Sequence, residues 1–121
     1  MTHNTDVIDQ MVGLIDPALS AIEQERGEAE LRDLQALLRE LLADFIGLIE
    51  RHPGVEAATA DLYAASAALV RDNGAGSEPS PRKLRLFREA RRRFHERLSA
   101  ARPRAHTVRT GWRHQELLLS A

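Results

Sequence analysis

The basic residues between positions 81 and 104 are the side chains best suited to binding a charged ligand. A planar guanidinium donates five N–H groups and can contact a carboxylate or a phosphate at two points. Lys83 is the single lysine of the chain, so arginine supplies almost all of this positive charge. The arginines that we expect to bind a partner or a nucleic acid are Arg82, Arg85, Arg88, Arg92, Arg93, Arg97, Arg102 and Arg104.

The net charge of −1 conceals a division along the chain. Residues 1–80 contain 5 arginines and 15 acidic residues, a net charge of −10, whereas residues 81–121 contain 12 basic and 3 acidic residues, a net charge of +9. Such an asymmetry indicates either that the two halves pair with each other or that the basic half binds a charged partner. The excess of arginine over lysine is also typical of a GC-rich bacterial genome, so the type of any single arginine does not by itself indicate a function.

Patterns for catalysis are missing from the sequence. The chain has no cysteine, which excludes a disulfide, a thiolate zinc site and a cysteine nucleophile. It has no Glu-x-x-His pair of the kind that builds carboxylate-bridged metal sites in helical bundles. The glycines of residues 73–81 match no nucleotide-binding pattern, and no Gly-x-Ser-x-Gly is present. We therefore expect no catalytic residue, no metal and no cofactor.

Residues 28–52 have the pattern of a helix at the centre of a bundle. At 100° per residue, the apolar side chains of this segment fall on about half of the helix circumference, which is more than one neighbouring helix can cover. The polar half carries mixed charges. The apolar residues are Leu31, Leu34, Leu37, Leu38, Leu41, Leu42, Phe45, Ile46, Leu48 and Ile49.

Apolar periodicity predicts helices on both sides of this segment. The first runs from about residue 6 to 26 and is bent at Pro17; the alternative is that Asp16 caps a second helix beginning at Pro17. The third runs from about Val55 to Asp72 and is rich in alanine. At their junction, we expect His52 to interact with the last carbonyls of the central helix.

A fourth helix is predicted from Pro81 to Ala101, with Ser80 as its N-cap. Residues 73–81 read as a flexible linker. Arg91 lies close to the apolar stripe of the helix, so its stem either follows the edge of the core or its guanidinium pairs with a carboxylate of the acidic half. The apolar stripe consists of Leu84, Phe87, Ala90, Phe94, Leu98 and Ala101.

Residues after Pro103 have no regular apolar pattern before Trp112. Residues 104–110 read as extended, and a short helix carrying Trp112, Leu117 and Leu118 could follow. We expect these apolar residues to be covered by the bundle or by a partner chain.

Together these patterns predict an all-α antiparallel bundle with an acidic three-helix core over 1–72 and a basic helix and arm over 82–121. The leading hypothesis is a small, non-catalytic, cytoplasmic interaction protein that binds a protein partner and self-associates as a homo-oligomer. The alternative is a nucleic-acid-binding module that uses the arginines of residues 82–104. A basic amphipathic helix lying on an anionic membrane is a further reading, although the bundle needs the apolar face of that helix. No signal peptide or membrane span is expected from the sequence.

Overall fold

Four α-helices make up the residues that the computed structural model describes, 3–74 and 80–105. They are α1 (His3–Gln24), α2 (Glu28–Leu48), α3 (Pro53–Gly74) and α4 (Pro81–Ala101). Helix α2 packs against both α1 and α3, α4 packs against α3, and α1 also contacts α3. The short connections make consecutive helices antiparallel. The predicted all-α bundle is confirmed.

The core consists of the apolar stripes that the sequence predicted. Each helix contributes fully buried side chains, including Leu19 of α1, Phe45 of α2, Leu62 of α3 and Phe94 of α4. Leu14 and Leu37, which belong to the apolar arcs of α1 and α2, are nevertheless 55% and 44% exposed. They lie at the margins of arcs that are wider than the neighbouring helices cover.

Helix α1 continues through Pro17, which confirms the prediction of one helix rather than two. Proline lacks the N–H that would bond to the carbonyl of Gly13, and its ring crowds that carbonyl. The buried side chains Ile15, Leu19 and Ile22 lie on both sides of the proline without a change of phase. Continuous burial of one face therefore keeps the helix intact.

Helix α2 is shorter than predicted, because it ends at Leu48 rather than His52. Ile49 has an extended backbone, with φ −100° and ψ 154°, and forms an isolated antiparallel bridge with Ala105. The N–H of Glu50 donates to the carbonyl of Arg104 over 2.6 Å. These pairings replace the last helical turn. The bridge at Ala105 agrees with the prediction that the chain is extended from residue 104, and residues 106–110 of that prediction lie outside the described residues.

The predicted role of His52 at the end of α2 is wrong. His52 precedes α3, and its Nδ1 accepts a hydrogen bond from the N–H of Val55 over 3.2 Å. In return, the N–H of His52 donates to Oε2 of Glu56 over 3.2 Å. Helix α3 begins at Pro53, two residues earlier than predicted, because proline is well suited to the first position of a helix. His52 therefore caps the start of α3.

Candidate interaction surface of the fourth helix

The apolar stripe of α4 fixes the orientation of its charged residues. Phe87, Ala90 and Phe94 are buried, and the ring of Phe94 meets that of Phe45 edge to face, with 5.7 Å between the ring centroids. The helix begins as predicted: the hydroxyl of Ser80 accepts from the N–H of Lys83 over 3.4 Å, and Pro81 follows it. The remaining positions of α4 divide into one edge toward α1, one toward α3 and a face toward solvent.

The edge toward α1 carries a group of ion pairs. The Nη2 and Nε atoms of Arg88 donate to Oε2 of Glu23 over 2.7 and 3.2 Å. Nη2 of Arg91 lies 3.6 Å from Oδ1 of Asp16. Nε2 of His95 lies 2.8 Å from the same Oδ1. Of the two alternatives that the sequence left open for Arg91, these contacts show the pairing with a carboxylate of the acidic half.

Arg91 also reaches two uncharged acceptors on α1. Its Nη2 donates to the carbonyl of Asp16 over 3.2 Å and to the hydroxyl of Ser20 over 3.0 Å. The side chain of Arg91 is 26% exposed. Through Nη2, Arg91 therefore attaches α4 to α1.

The edge toward α3 carries a second attachment at the start of α4. The ammonium of Lys83 donates to Oδ1 of Asp72 over 2.8 Å, and the N–H of Ser80 donates to Oδ2 over 3.2 Å. These bonds, that of Lys83 above all, hold the pKa of the Asp72 carboxyl below its usual value of 3.8. Asp72, near the end of α3, thus fixes the first turn of α4.

Solvent-facing arginines remain after these pairs are made. Within residues 81–105, six arginines are exposed and have no carboxylate of the described residues within 4 Å. Arg92 is also exposed, but its Nη1 lies 2.6 Å from Oε2 of Glu96 on the same helix. The six, which we call the free arginines, are Arg82, Arg85, Arg93, Arg97, Arg102 and Arg104.

The sequence-predicted site residues therefore separate into three groups. Arg88 is engaged with Glu23, while Arg92 and the free arginines stay accessible. Trp112, Leu117 and Leu118 lie outside the described residues. Arg102 is the C-cap of α4. It adopts the left-handed conformation, with φ 46° and ψ 57°, and its N–H donates to the carbonyl of Leu98.

Two shallow grooves flank α4. One, of about 460 Å³, lies between α1 and the end of α4, where Asp9, His95, Ser99 and Arg102 join apolar side chains. The other, of about 330 Å³, lies between α3 and α4 and has Leu86 in its wall. Leu86 is 47% exposed. Because this residue lies outside the apolar stripe of α4, the sequence pattern did not indicate that it lines a groove.

The described residues contain no group of three or more acidic or histidine side chains placed to hold a metal ion. Within the same residues, no helix is long and apolar enough to cross a membrane. Several polar groups of α4 make ion pairs and hydrogen bonds that attach the helix to its neighbours.

The fold and this surface define an all-α antiparallel helical bundle with an arginine-bearing fourth helix. Comparison with protein-family models, curated proteins and solved structures finds no match to the chain.

Proposed function

We propose that the chain is a small, non-catalytic, cytoplasmic interaction protein that binds an acidic protein surface through the free arginines. This proposal rests on the difference between the basic residues of α4 that pair with neighbouring helices and those that do not. Arg88 and Arg91 satisfy carboxylates of α1, as Lys83 does for α3, whereas the free arginines face solvent. Attachment of the helix therefore does not account for them.

The free arginines are held on a rigid support. Four of them, Arg82, Arg85, Arg93 and Arg97, lie on one helix, and the 15 steps from the first to the last correspond to about 22 Å at 1.5 Å per residue. Arginine is enriched at protein interfaces, where its fork pairs with carboxylates at two points. A rigid row of such groups loses less conformational entropy on binding than a flexible segment does.

An acidic protein suits this surface better than a nucleic acid. Carboxylates interrupt the row, because Glu96 pairs with Arg92 and the half-buried Glu89 lies one turn before Arg93. Residues 1–80 carry a net charge of −10, which repels a long uniform polyanion that extends past α4 over the rest of the bundle. A protein partner can match alternating charges, whereas a uniform polyanion cannot.

The test compares three labelled probes in anisotropy titrations at low and moderate salt: an acidic peptide whose glutamates are interrupted by lysines, duplex DNA and single-stranded RNA. The variant Arg85→Glu plus Arg93→Glu reverses two free arginines. The matched control Arg32→Glu plus Arg39→Glu makes the same charge change on α2, where both arginines are exposed. We expect the first variant to weaken peptide binding about tenfold or more and the control to weaken it much less.

Two results would overturn the proposal. One is that no acidic peptide binds even at low salt. The other is that nucleic acid binds more tightly than the peptide at moderate salt, with an affinity that falls steeply as salt is raised, in which case the nucleic-acid alternative replaces it. An equal loss in both charge-reversal variants would show that net charge, rather than the surface of α4, determines binding.

A further inference from the structure

Leu14 of α1 and Leu37 of α2 lie on the sides of their helices that face away from α4 and α3. Residues two positions apart in a helix point in nearly opposite directions, about 200° around the axis. Asp16, two residues after Leu14, contacts α4, so Leu14 faces away from α4. Gln35, two residues before Leu37, donates to the hydroxyl of Tyr63 on α3, so Leu37 faces away from α3. Since each leucine also lies at the margin of an apolar arc, both flank the contact between α1 and α2 on its outer side.

The two leucines also lie at the same height in the bundle. Leu14 is ten residues before the end of α1, and Leu37 is nine residues after the start of α2, which runs antiparallel to α1. They are 55% and 44% exposed. Half-buried leucines of α2, Leu34 and Leu41, extend the exposed area by one turn in each direction. These four residues form an apolar surface that we call the α1–α2 patch.

Carboxylates border this patch along α2. They lie three or four residues apart, in register with Leu37, and so follow one line along the helix. All four are exposed, and no arginine, lysine or histidine of the described residues lies within 4 Å of any of them. They are Glu30, Asp33, Glu40 and Asp44. An apolar patch with a charged border is typical of a binding surface, and this border favours a basic occupant.

The described residues end beside this border. Residues 102–105 follow α4 and bring the chain to the end of α2, where Ala105 pairs with Ile49. The pairing is antiparallel, so the chain at Ala105 runs opposite to the chain that leaves α2. Asp44, the nearest carboxylate of the border, lies five residues before Ile49. The residues that follow Ala105 therefore start at one end of the border.

Residues 106–121, which lie outside the described residues, have the composition that the patch requires. They include Trp112 and the three leucines at 117–119, which need apolar cover. Arg109 and Arg113 stand on either side of the tryptophan in the sequence, and Glu116 is the single acidic residue of the segment. The segment is therefore apolar and basic, whereas the patch is apolar and acidic.

The segment is also long enough to reach the patch. Trp112 is seven residues beyond Ala105, and seven extended residues span at most about 25 Å. Leu37 is twelve residues before Ile49, which corresponds to about 18 Å along the axis of α2. Trp112 can thus lie over Leu37 without any change in the four helices.

We propose that residues 106–121 fold back over the α1–α2 patch, with Trp112 against Leu14 and Leu37 and the neighbouring arginines against the carboxylate border. The contact removes apolar area of both surfaces from water. Because the segment is joined to the bundle, its binding is intramolecular and is favoured by a high effective concentration. The inference does not rest on the acidic-partner proposal, since the patch lies on α1 and α2 and the free arginines do not.

The groove between α1 and α4 suits this segment less well. It lies close to Pro103, but Arg102 and His95 line it beside a single carboxylate, that of Asp9. A basic segment therefore meets less favourable charge there than along α2.

The first test uses Trp112, the single tryptophan of the chain, as a fluorescent reporter in the full chain. We expect its emission maximum to lie at a shorter wavelength than that of N-acetyltryptophanamide, and its acrylamide quenching constant to be lower. Leu37→Arg removes apolar area and adds a cation, so it should raise the quenching constant about twofold or more. Leu86→Arg is the matched control, because Leu86 is a similarly exposed leucine on α4. It should leave both measurements unchanged.

Charge reversal tests the border separately. Asp44→Lys should raise the quenching constant of Trp112, because it places a cation beside the basic segment, and added salt should reduce the effect. Asp61→Lys makes the same change at an exposed aspartate of α3 and should have little effect.

The last test measures proximity by disulfide formation and leaves Trp112 in place. The chain has no cysteine, so Thr110→Cys plus Leu37→Cys carries only the two added thiols. In a glutathione buffer, we expect this pair to form an intramolecular disulfide about tenfold more favourably than Thr110→Cys plus Leu86→Cys. Circular dichroism checks that each variant keeps its helices.

Trp112 that is as accessible to acrylamide as N-acetyltryptophanamide overturns the proposal. So does an equal rise in quenching for Leu37→Arg and Leu86→Arg, or equal disulfide formation by the two cysteine pairs. Shielding of Trp112 that grows with protein concentration, together with covalent dimers of the Leu37→Cys pair on a non-reducing gel, would assign the patch to a second copy and overturn it as well.

Discussion

Nη2 of Arg88 lies 2.7 Å from Oε2 of Glu23, and this contact joins α4 to α1 across 65 positions of sequence. Nε of Arg88 donates to the same oxygen, so one carboxylate oxygen accepts two hydrogen bonds from the guanidinium. The bond to Glu23 raises the pKa of Arg88 above its ordinary value, which favours the charged guanidinium. A residue of the basic half and a residue of the acidic half thus neutralise each other in the folded chain.

Reversing the charge of Arg88 should lower stability, and reversing Glu23 as well should restore part of the loss. Arg88→Glu places two carboxylates together, whereas Arg88→Glu plus Glu23→Arg re-forms the pair in the opposite sense. The effect is modest because both side chains contact solvent, and added salt should reduce it. Urea unfolding of wild type, both single variants and the double variant measures the interaction. Additive losses in the double variant would mean that the contact contributes nothing.

Phe94→Ala should destabilise the bundle by about 3–5 kcal/mol, because the substitution removes a fully buried ring and leaves a cavity. It also removes the edge-to-face contact with Phe45, which joins α4 to the central helix. Thermal or urea unfolding monitored by circular dichroism measures the loss. Phe94→Leu should cost less, since it fills part of the space. If Phe94→Ala cost no more than the exposed-site control Leu37→Ala, α4 would not be part of the cooperative core.

Local patterns were sufficient to predict the helices and most of the core. The stripe through Phe87, Ala90 and Phe94, the cap at Ser80 and the continuity of α1 through Pro17 each depend on residues within one or two turns. Such information is contained in any short window of sequence. The opposite net charges of the two halves also indicated that the halves could pair with each other.

The individual partners were not predictable, because they depend on how the helices pack. Nothing in the sequence selects Glu23 for Arg88 rather than another acidic residue of α1, and the choice is made by the axial positions of the two helices. The bridge between Ile49 and Ala105 joins segments 56 residues apart, and it shortened α2 against a continuous apolar pattern. Leu86 lies outside the apolar stripe of α4, and its place in the wall of a groove depends on where α3 lies.

His52→Ala should lower the unfolding free energy by about 1 kcal/mol, because it removes the side chain that caps α3. In the native chain, Nδ1 of His52 accepts from the N–H of Val55, and the alanine leaves that N–H to water. His52→Asn should recover most of the stability, since asparagine supplies an acceptor at the same position. Urea unfolding of the three proteins measures both changes. Equal stability of the alanine and asparagine variants would show that the hydrogen bond is not the source of the effect.

The contact between Asp72 and Lys83 should make part of the stability depend on acid. Because the bonds from Lys83 and Ser80 lower the pKa of Asp72, the folded chain releases that proton more readily than the unfolded chain does. The stabilisation is therefore present above the ordinary pKa of 3.8 and is lost as the pH falls below it, through the lowered folded-state pKa. Unfolding of wild type and Asp72→Asn, measured from pH 7 downward, should give a difference that is constant near neutrality and shrinks below about pH 4. Asp61→Asn, which alters an exposed carboxylate of the same helix, is the control. A difference between wild type and Asp72→Asn that persists unchanged at acid pH would assign the effect to the shape of the side chain rather than to its charge.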